Sequence, residues 1–174
     1  MKFKQKVDFF SSISFILLGM VLLLLSLFSI KNIKLLNIII FSFISIINII
    51  RYILIRSSKD YEGLHIFIVS IISLVLAIVL DITNVKKLYY VIMFWVGFMS
   101  LTNLKKMDYY HDRKDNMWKI QTFIFGAFLL TGLLTCVNLA HSSSVQIIIL
   151  GYFYLICGIL KTIDPLVITL MKNK

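Results

Sequence analysis

Residues 9–30 read FFSSISFILLGMVLLLLSLFSI, a stretch with no charged side chain. A bilayer core about 30 Å thick needs roughly 20 such residues per helical crossing. Lys2, Lys4 and Lys6 precede the stretch and imitate a secretory signal. The run is longer than a signal's apolar segment, and no small-x-small cleavage site follows before Lys31, so it reads as a retained first helix.

Five more apolar runs follow, at 35–55, 64–82, 86–104, 118–139 and 145–163. The chain has 174 residues, 60% of them hydrophobic, and a mean hydropathy of +0.95. Soluble chains are nearer 45–50% apolar, so only lipid solvates this excess. Isoleucine is abundant and would favour strands in water. In lipid, uninterrupted runs of this length satisfy their backbone only as helices. They do not alternate as barrel strands do. Pro165 is the single proline and is expected to end the sixth helix, with Leu166 to Met171 lying along the membrane surface.

Lysine and arginine distribute by side. With the N-terminus inside, the inner segments hold Lys2, Lys4 and Lys6; Arg51, Arg56 and Lys59; Lys105, Lys106, Arg113, Lys114 and Lys119; and Lys161, Lys172 and Lys174. The outer loops hold Lys31, Lys34, Lys86 and Lys87. Fourteen against four is a strong positive-inside bias, and it independently supports an even number of spans. The expected fold is an all-α polytopic membrane protein. Its six transmembrane helices form three antiparallel hairpins at about 9–55, 64–104 and 118–163, within a single transmembrane domain and with both termini cytoplasmic.

The hairpins read as diverged copies. Small residues recur in the first helix of each: Gly19 and Ser26, Ser70 and Ala77, Gly126 and Gly132. The second helices carry Asn48, Ser100 and Gly158 at matching places. Small residues at helical spacing let backbones approach in lipid. The last hairpin reads Gly151-Tyr152-Phe153-Tyr154-Leu155-Ile156-Cys157-Gly158-Ile159, then Lys161. The first has Phe41, Asn48 and Arg51 at those places, and the second has Met93, Ser100, then Lys105 and Lys106. This arrangement resembles the HdeD-like acid-resistance membrane proteins, built from a short repeat of unknown function. Only one copy keeps both glycines, and the proline usual in that family's outer turn is absent. The resemblance implies a stress-associated inner-membrane protein with no established catalytic residues.

Little else points to chemistry. Net charge is +10, but no basic stretch has the water-exposed face that nucleic-acid binding needs. His65, His111 and His141 fall in or beside three different loops, without metal-ligand spacing. Cys136 and Cys157 lie at different depths and read as buried free thiols. Ser142-Ser143-Ser144 beside His141 has no acid near it. All eight acids lie near span ends, which argues against a carboxylate relay at mid-membrane.

Arg51 is expected to snorkel to the inner interface, the alternative being an anion contact or a pair with Asp108 or Asp112. Asn48 and Asn103 read as interhelical hydrogen-bonding groups. The segment from Lys105 to Lys119 reads as an interfacial connector with Tyr109, Tyr110 and Trp118 at headgroup level.

The residues expected to serve helix packing or a polar cavity are Gly19, Asn48, Arg51, Ser100, Gly126 and Gly158. No catalytic residue, metal or cofactor is expected. The expected partners are the lipid bilayer and anionic headgroups on the cytoplasmic side; a homo-oligomer or a membrane protein partner is compatible with the chain. Two functions remain open. One is a non-enzymatic stress protein of the HdeD-like kind. The other is a small-solute transport component, such as the membrane substrate-binding subunit of a modular vitamin importer. Whether the bundle encloses a polar cavity separates a site from a solid core.

Overall fold

The uncharged runs fold as helices. A computed structural model describes residues 3–28, 33–55, 61–80, 85–139 and 143–172. Its elements are α1 (Phe3–Leu25), α2 (Ile33–Ile55), α3 (Tyr61–Val79), α4 (Val85–Asp112), α5 (Met117–Asn138) and α6 (Ser143–Lys172). Five of the six are long and apolar enough to cross a membrane. Large apolar side chains stand outward on all of them, among them Leu24, Ile53, Val79, Leu130 and Val137. An exposed apolar surface this extensive is tolerable in lipid and not in water. The protein is an all-α polytopic membrane protein.

The remaining helix, α4, is 28 residues long. Tyr89, Tyr90, Thr102 and Asn103 make it more polar than the others. Its inward stripe of Leu88, Val91, Ile92, Trp95, Val96 and Met99 is nonetheless wholly buried.

Each helix packs on its chain neighbours, and α6 closes back on α1, so the six form a ring. The charged ends fix its directions. Asp8, early in α1, pairs with Arg51, late in α2. Glu62, at the start of α3, pairs with Lys106, late in α4. Gln121, early in α5, bonds Asp164, late in α6. The starts of odd helices and the ends of even ones therefore share one end of the ring. Neighbours are antiparallel, α4 among them.

The hairpin partners touch, but the more extensive contacts join one hairpin to the next: α6 to α1, α4 to α5 and α2 to α3. The reason is where the small and polar residues lie. A Cβ on Gly19 would stand 2.5 Å from the Leu155 backbone nitrogen and 2.7 Å from the Gly151 carbonyl oxygen. One on Gly158 would stand 2.6 Å from the Ile16 nitrogen and 3.0 Å from the Ser12 carbonyl. These glycines let α1 and α6 lie backbone to backbone.

Three element boundaries differ from expectation. α1 begins at Phe3, a turn and a half before the uncharged run. α4 continues to Asp112, so most of the expected interfacial connector is helix. The turn is confined to residues 113–116, where Lys114 has φ 53. α6 passes through Pro165 to Lys172 rather than stopping there. A proline removes one backbone donor, and neighbouring groups in a packed membrane helix absorb that loss.

The core is aromatic. Trp95 of α4 is 1% exposed. Around it stand Phe15 of α1 at 6.4 Å, Phe128 of α5 at 5.9 Å, and Phe153 and Tyr154 of α6 at 5.7 and 6.2 Å between ring centroids. Four helices thus meet on one indole, in the offset and edge-on geometries that ring quadrupoles favour.

Candidate functional site: a charged chamber above the aromatic hub

Between the hub and the charged end lies a chamber of about 60 Å³. All six helices line it. It opens into a vestibule of about 570 Å³ at the charged end, bordered by Lys4, His65, Lys105, Tyr109 and Tyr110. Asp8, Glu62, Thr102, Lys106, Asp164 and Pro165 border both spaces.

The helical repeat aims these groups inward. Residues three or four apart share a face. Asp8 with Ser11 and Ser12, Asn48 with Arg51, and Asn103 with Lys106 each place a polar and a charged group on one inward stripe, and Lys161 with Asp164 places two opposite charges on another. Arg51 Nε donates to Asp8 Oδ1 at 2.7 Å, and Arg51 is buried. Lys106 Nζ serves two carboxylates, Glu62 Oε1 at 3.4 Å and Asp164 Oδ2. Gln121 Nε2 donates to Asp164 Oδ1 at 2.6 Å. Beneath them, Lys161 Nζ stands 3.9 Å from the centre of the Phe15 ring and 5.9 Å from that of Trp95. At the vestibule wall, burial raises the Tyr110 phenol above its ordinary range, and the Asp164 carboxylate adds to the rise.

Asn48 Nδ2 donates to Ser70 Oγ at 2.6 Å. Ser70 Oγ in turn donates to the Ile66 carbonyl at 2.8 Å. Since that hydroxyl proton is already given to Ile66, Ser70 accepts from Asn48, which fixes the orientation of the amide. Asn48 Oδ1 is left buried with no donor among the described residues. Ser45 Oγ also bonds the Ser70 carbonyl at 3.0 Å, so α2 and α3 are joined by polar groups.

The sequence candidates divide. Gly19 and Gly158 pack α1 against α6. Asn48 and Arg51 line the chamber. Ser100 is buried, its hydroxyl without a partner among the described residues, and it lies outside the chamber lining. Gly126 is a correction. It faces outward on α5, and a Cβ there would meet nothing within 4 Å. The close approach on that helix belongs to Gly132, against the Val96 side chain.

Arg51 is a second correction. It neither snorkels nor reaches Asp108 or Asp112. Asp8 lies a turn and a half inside α1, so a partner is available at its own depth.

Asp8, Glu62, Lys106, Gln121, Lys161 and Asp164 were not singled out by sequence reasoning. The signal was present as charged and polar residues three apart at the same end of successive spans. His141 and Asp81 lie outside the described residues. Cys136 and Cys157 are buried free thiols. Among the described residues, no group of three or more histidine, cysteine or acidic side chains is placed to hold a metal.

No family model matches the chain, and neither a curated protein nor a solved structure matches it.

Proposed function

We propose that this is a non-enzymatic, multi-pass cell-membrane protein that binds a small polar solute as a transport component. The observation that carries the reading is the convergence of Asp8, Arg51, Glu62, Lys106, Lys161 and Asp164 on one chamber with a vestibule of small-molecule size. Ionisable groups inside a bundle are costly and mark solute or ion paths. The vestibule falls within the roughly 300–1,000 Å³ typical of ligand pockets. The fourteen-to-four charge bias supports a cytoplasmic open end and cytoplasmic termini. The aromatic hub closes the chamber toward the other side, so passage requires those rings to part.

A cysteine at Thr102, which borders both spaces, tests access. In a background with Cys136→Ala and Cys157→Ala, Thr102→Cys reacts with an impermeant thiol reagent applied from the cytoplasmic face of inside-out vesicles. Labelling only in intact cells would reverse the orientation. No labelling from either side would defeat the solute-binding reading. Co-purification with cytosolic ATPase subunits would identify the importer type.

A protective role of the HdeD-like kind is the second reading. It is supported by the use of Gly151 and Gly158, the glycine pair that carries the resemblance, at the α1–α6 contact. It predicts reduced survival of acid exposure in cells lacking the chain, with the wild-type chain restoring it; equal survival would end it.

A further inference from the structure

Five lysine and arginine side chains border the chamber and its vestibule, against three carboxylates. Each carboxylate is answered. Arg51 holds Asp8 at 2.7 Å. Lys106 holds both Glu62 and Asp164. The charges of Arg51 and Lys4 also act on Glu62. Lys161 is the contrast. Among the described residues it makes no ion pair and no hydrogen bond, and it rests against the ring of Phe15 instead. It borders the chamber and not the vestibule. It lies three residues before Asp164 on α6, about 4.5 Å deeper along the helix axis. A ring face attracts an ammonium but does not neutralise it. The described lining is therefore net positive, and the cation at its floor has no counter-ion.

We infer that the solute is a small organic anion, a short-chain monocarboxylate whose carboxylate pairs with Lys161. This rests on the solute-binding reading above and names its ligand. An amine would meet Lys161 with like charge. A neutral solute would leave the ammonium without a partner, and a buried charge that finds one is strongly favoured over one left alone. An inorganic anion would answer Lys161 but not the apolar wall that Met99, Ile124, Phe128 and Leu160 give the same chamber. A short alkyl chain is drawn to that wall by the hydrophobic effect. The chamber's volume of about 60 Å³ amounts to roughly four water-sized positions. That accommodates a carboxylate and its first carbons, while a longer chain extends into the vestibule. The net positive lining raises the local concentration of anions at the entrance.

The test uses the full chain in phosphatidylcholine nanodiscs and four probes: propionate, the size-matched propylamine and propionamide, and chloride. Binding is read by calorimetry and by the shift in melting midpoint. The expected result is saturable binding of propionate, with the other three at least tenfold weaker. Lys161→Met should weaken propionate at least tenfold, because it removes the buried partner of the carboxylate. Lys87→Met removes the same charge from an exposed position at the opposite end of α4 and should leave propionate binding unchanged. The wild-type panel decides by itself should a variant not fold. Propylamine or propionamide binding as tightly as propionate would overturn the anion and leave solute binding standing. Chloride binding as tightly would overturn the carboxylate. Equal losses in Lys161→Met and Lys87→Met would replace the pairing at Lys161 with an effect of net charge and overturn it. If none of the four binds while Thr102→Cys is still labelled, the chamber is open and the monocarboxylate assignment fails. If Thr102→Cys is unlabelled as well, the solute-binding reading falls with it.

Discussion

Two seams of the ring solve the same problem differently. Between α1 and α6, Gly19 and Gly158 remove side chains so that backbones touch. Between α2 and α3, Asn48, Ser45 and Ser70 supply hydrogen bonds instead. In lipid neither seam gains from expelling water, so one relies on close dispersion contact and the other on directional polar bonds. The glycine seam is intolerant of added atoms, because its neighbours are main chain and cannot step aside. The polar seam loses only what its bonds contribute, because its side chains can find other partners. The difference also places the site: the polar seam opens onto the chamber through Asn48, whereas the glycine seam seals the wall beside it.

The comparison breaks most visibly at Gly19. Gly19→Ala should destabilise the bundle by about 3 kcal/mol, the upper range for overpacking, measured by denaturant titration in mixed micelles. A loss no greater than that of Ser70→Ala would mean that the seams do not differ in kind.

Arg51→Met comes next. It strands the Asp8 carboxylate in the chamber wall, at a cost of about 2 kcal/mol, discounted because Asp8 is partly exposed. Adding Asp8→Asn should recover part of that loss; no recovery would show that the pair is not what the variant breaks.

The polar seam itself is measured by a double-mutant cycle on Asn48→Ala and Ser70→Ala. A coupling of about 1 kcal/mol is expected, in the range of interhelical hydrogen bonds in membranes. Zero coupling would remove the hydrogen bond from the account.

Gly126→Ala gives the smallest effect, and of opposite sign to Gly19→Ala. It faces open space, so stability should be unchanged or raised by up to about 1 kcal/mol through helix propensity. A substantial loss there would mean that α5 has a packing partner on its outer face.

Much of the fold was legible because lipid leaves so few alternatives. Uncharged runs of sufficient length must be helices, and the alternation of lysines and arginines supported an even count. Helix ends were less legible. The sequence marks where apolar residues stop, but α1, α4 and α6 continue past that point by burying charges against one another. Asp8, Lys106 and Asp164 look like interface residues when each span is taken alone, and become chamber residues only when six spans are arranged in a ring. Arg51 was misjudged for the same reason, its partner being on another helix. Gly126 and Gly132 show the limit of a spacing argument. Both are glycines in an apolar helix, and only the rotation of α5 decides which one meets Val96. The separation of Lys161 from the paired charges had no sequence signal, since it depends on which carboxylates Lys106 engages.

The tightest seam joins the first helix to the last, and this has a consequence for biogenesis. When α1 leaves the ribosome, the strand of protein that will cover Gly19 has not been made. Elongation proceeds at about 5–20 residues per second, so the glycine face waits on the order of ten seconds for α6. During that interval the nascent bundle is an open arc, with its aromatic centre and its charged groups unenclosed. Closure of the ring waits for the final helix. A chain stopped before α6 should leave a protein that the membrane's quality-control proteases recognise, however well its first five helices have inserted.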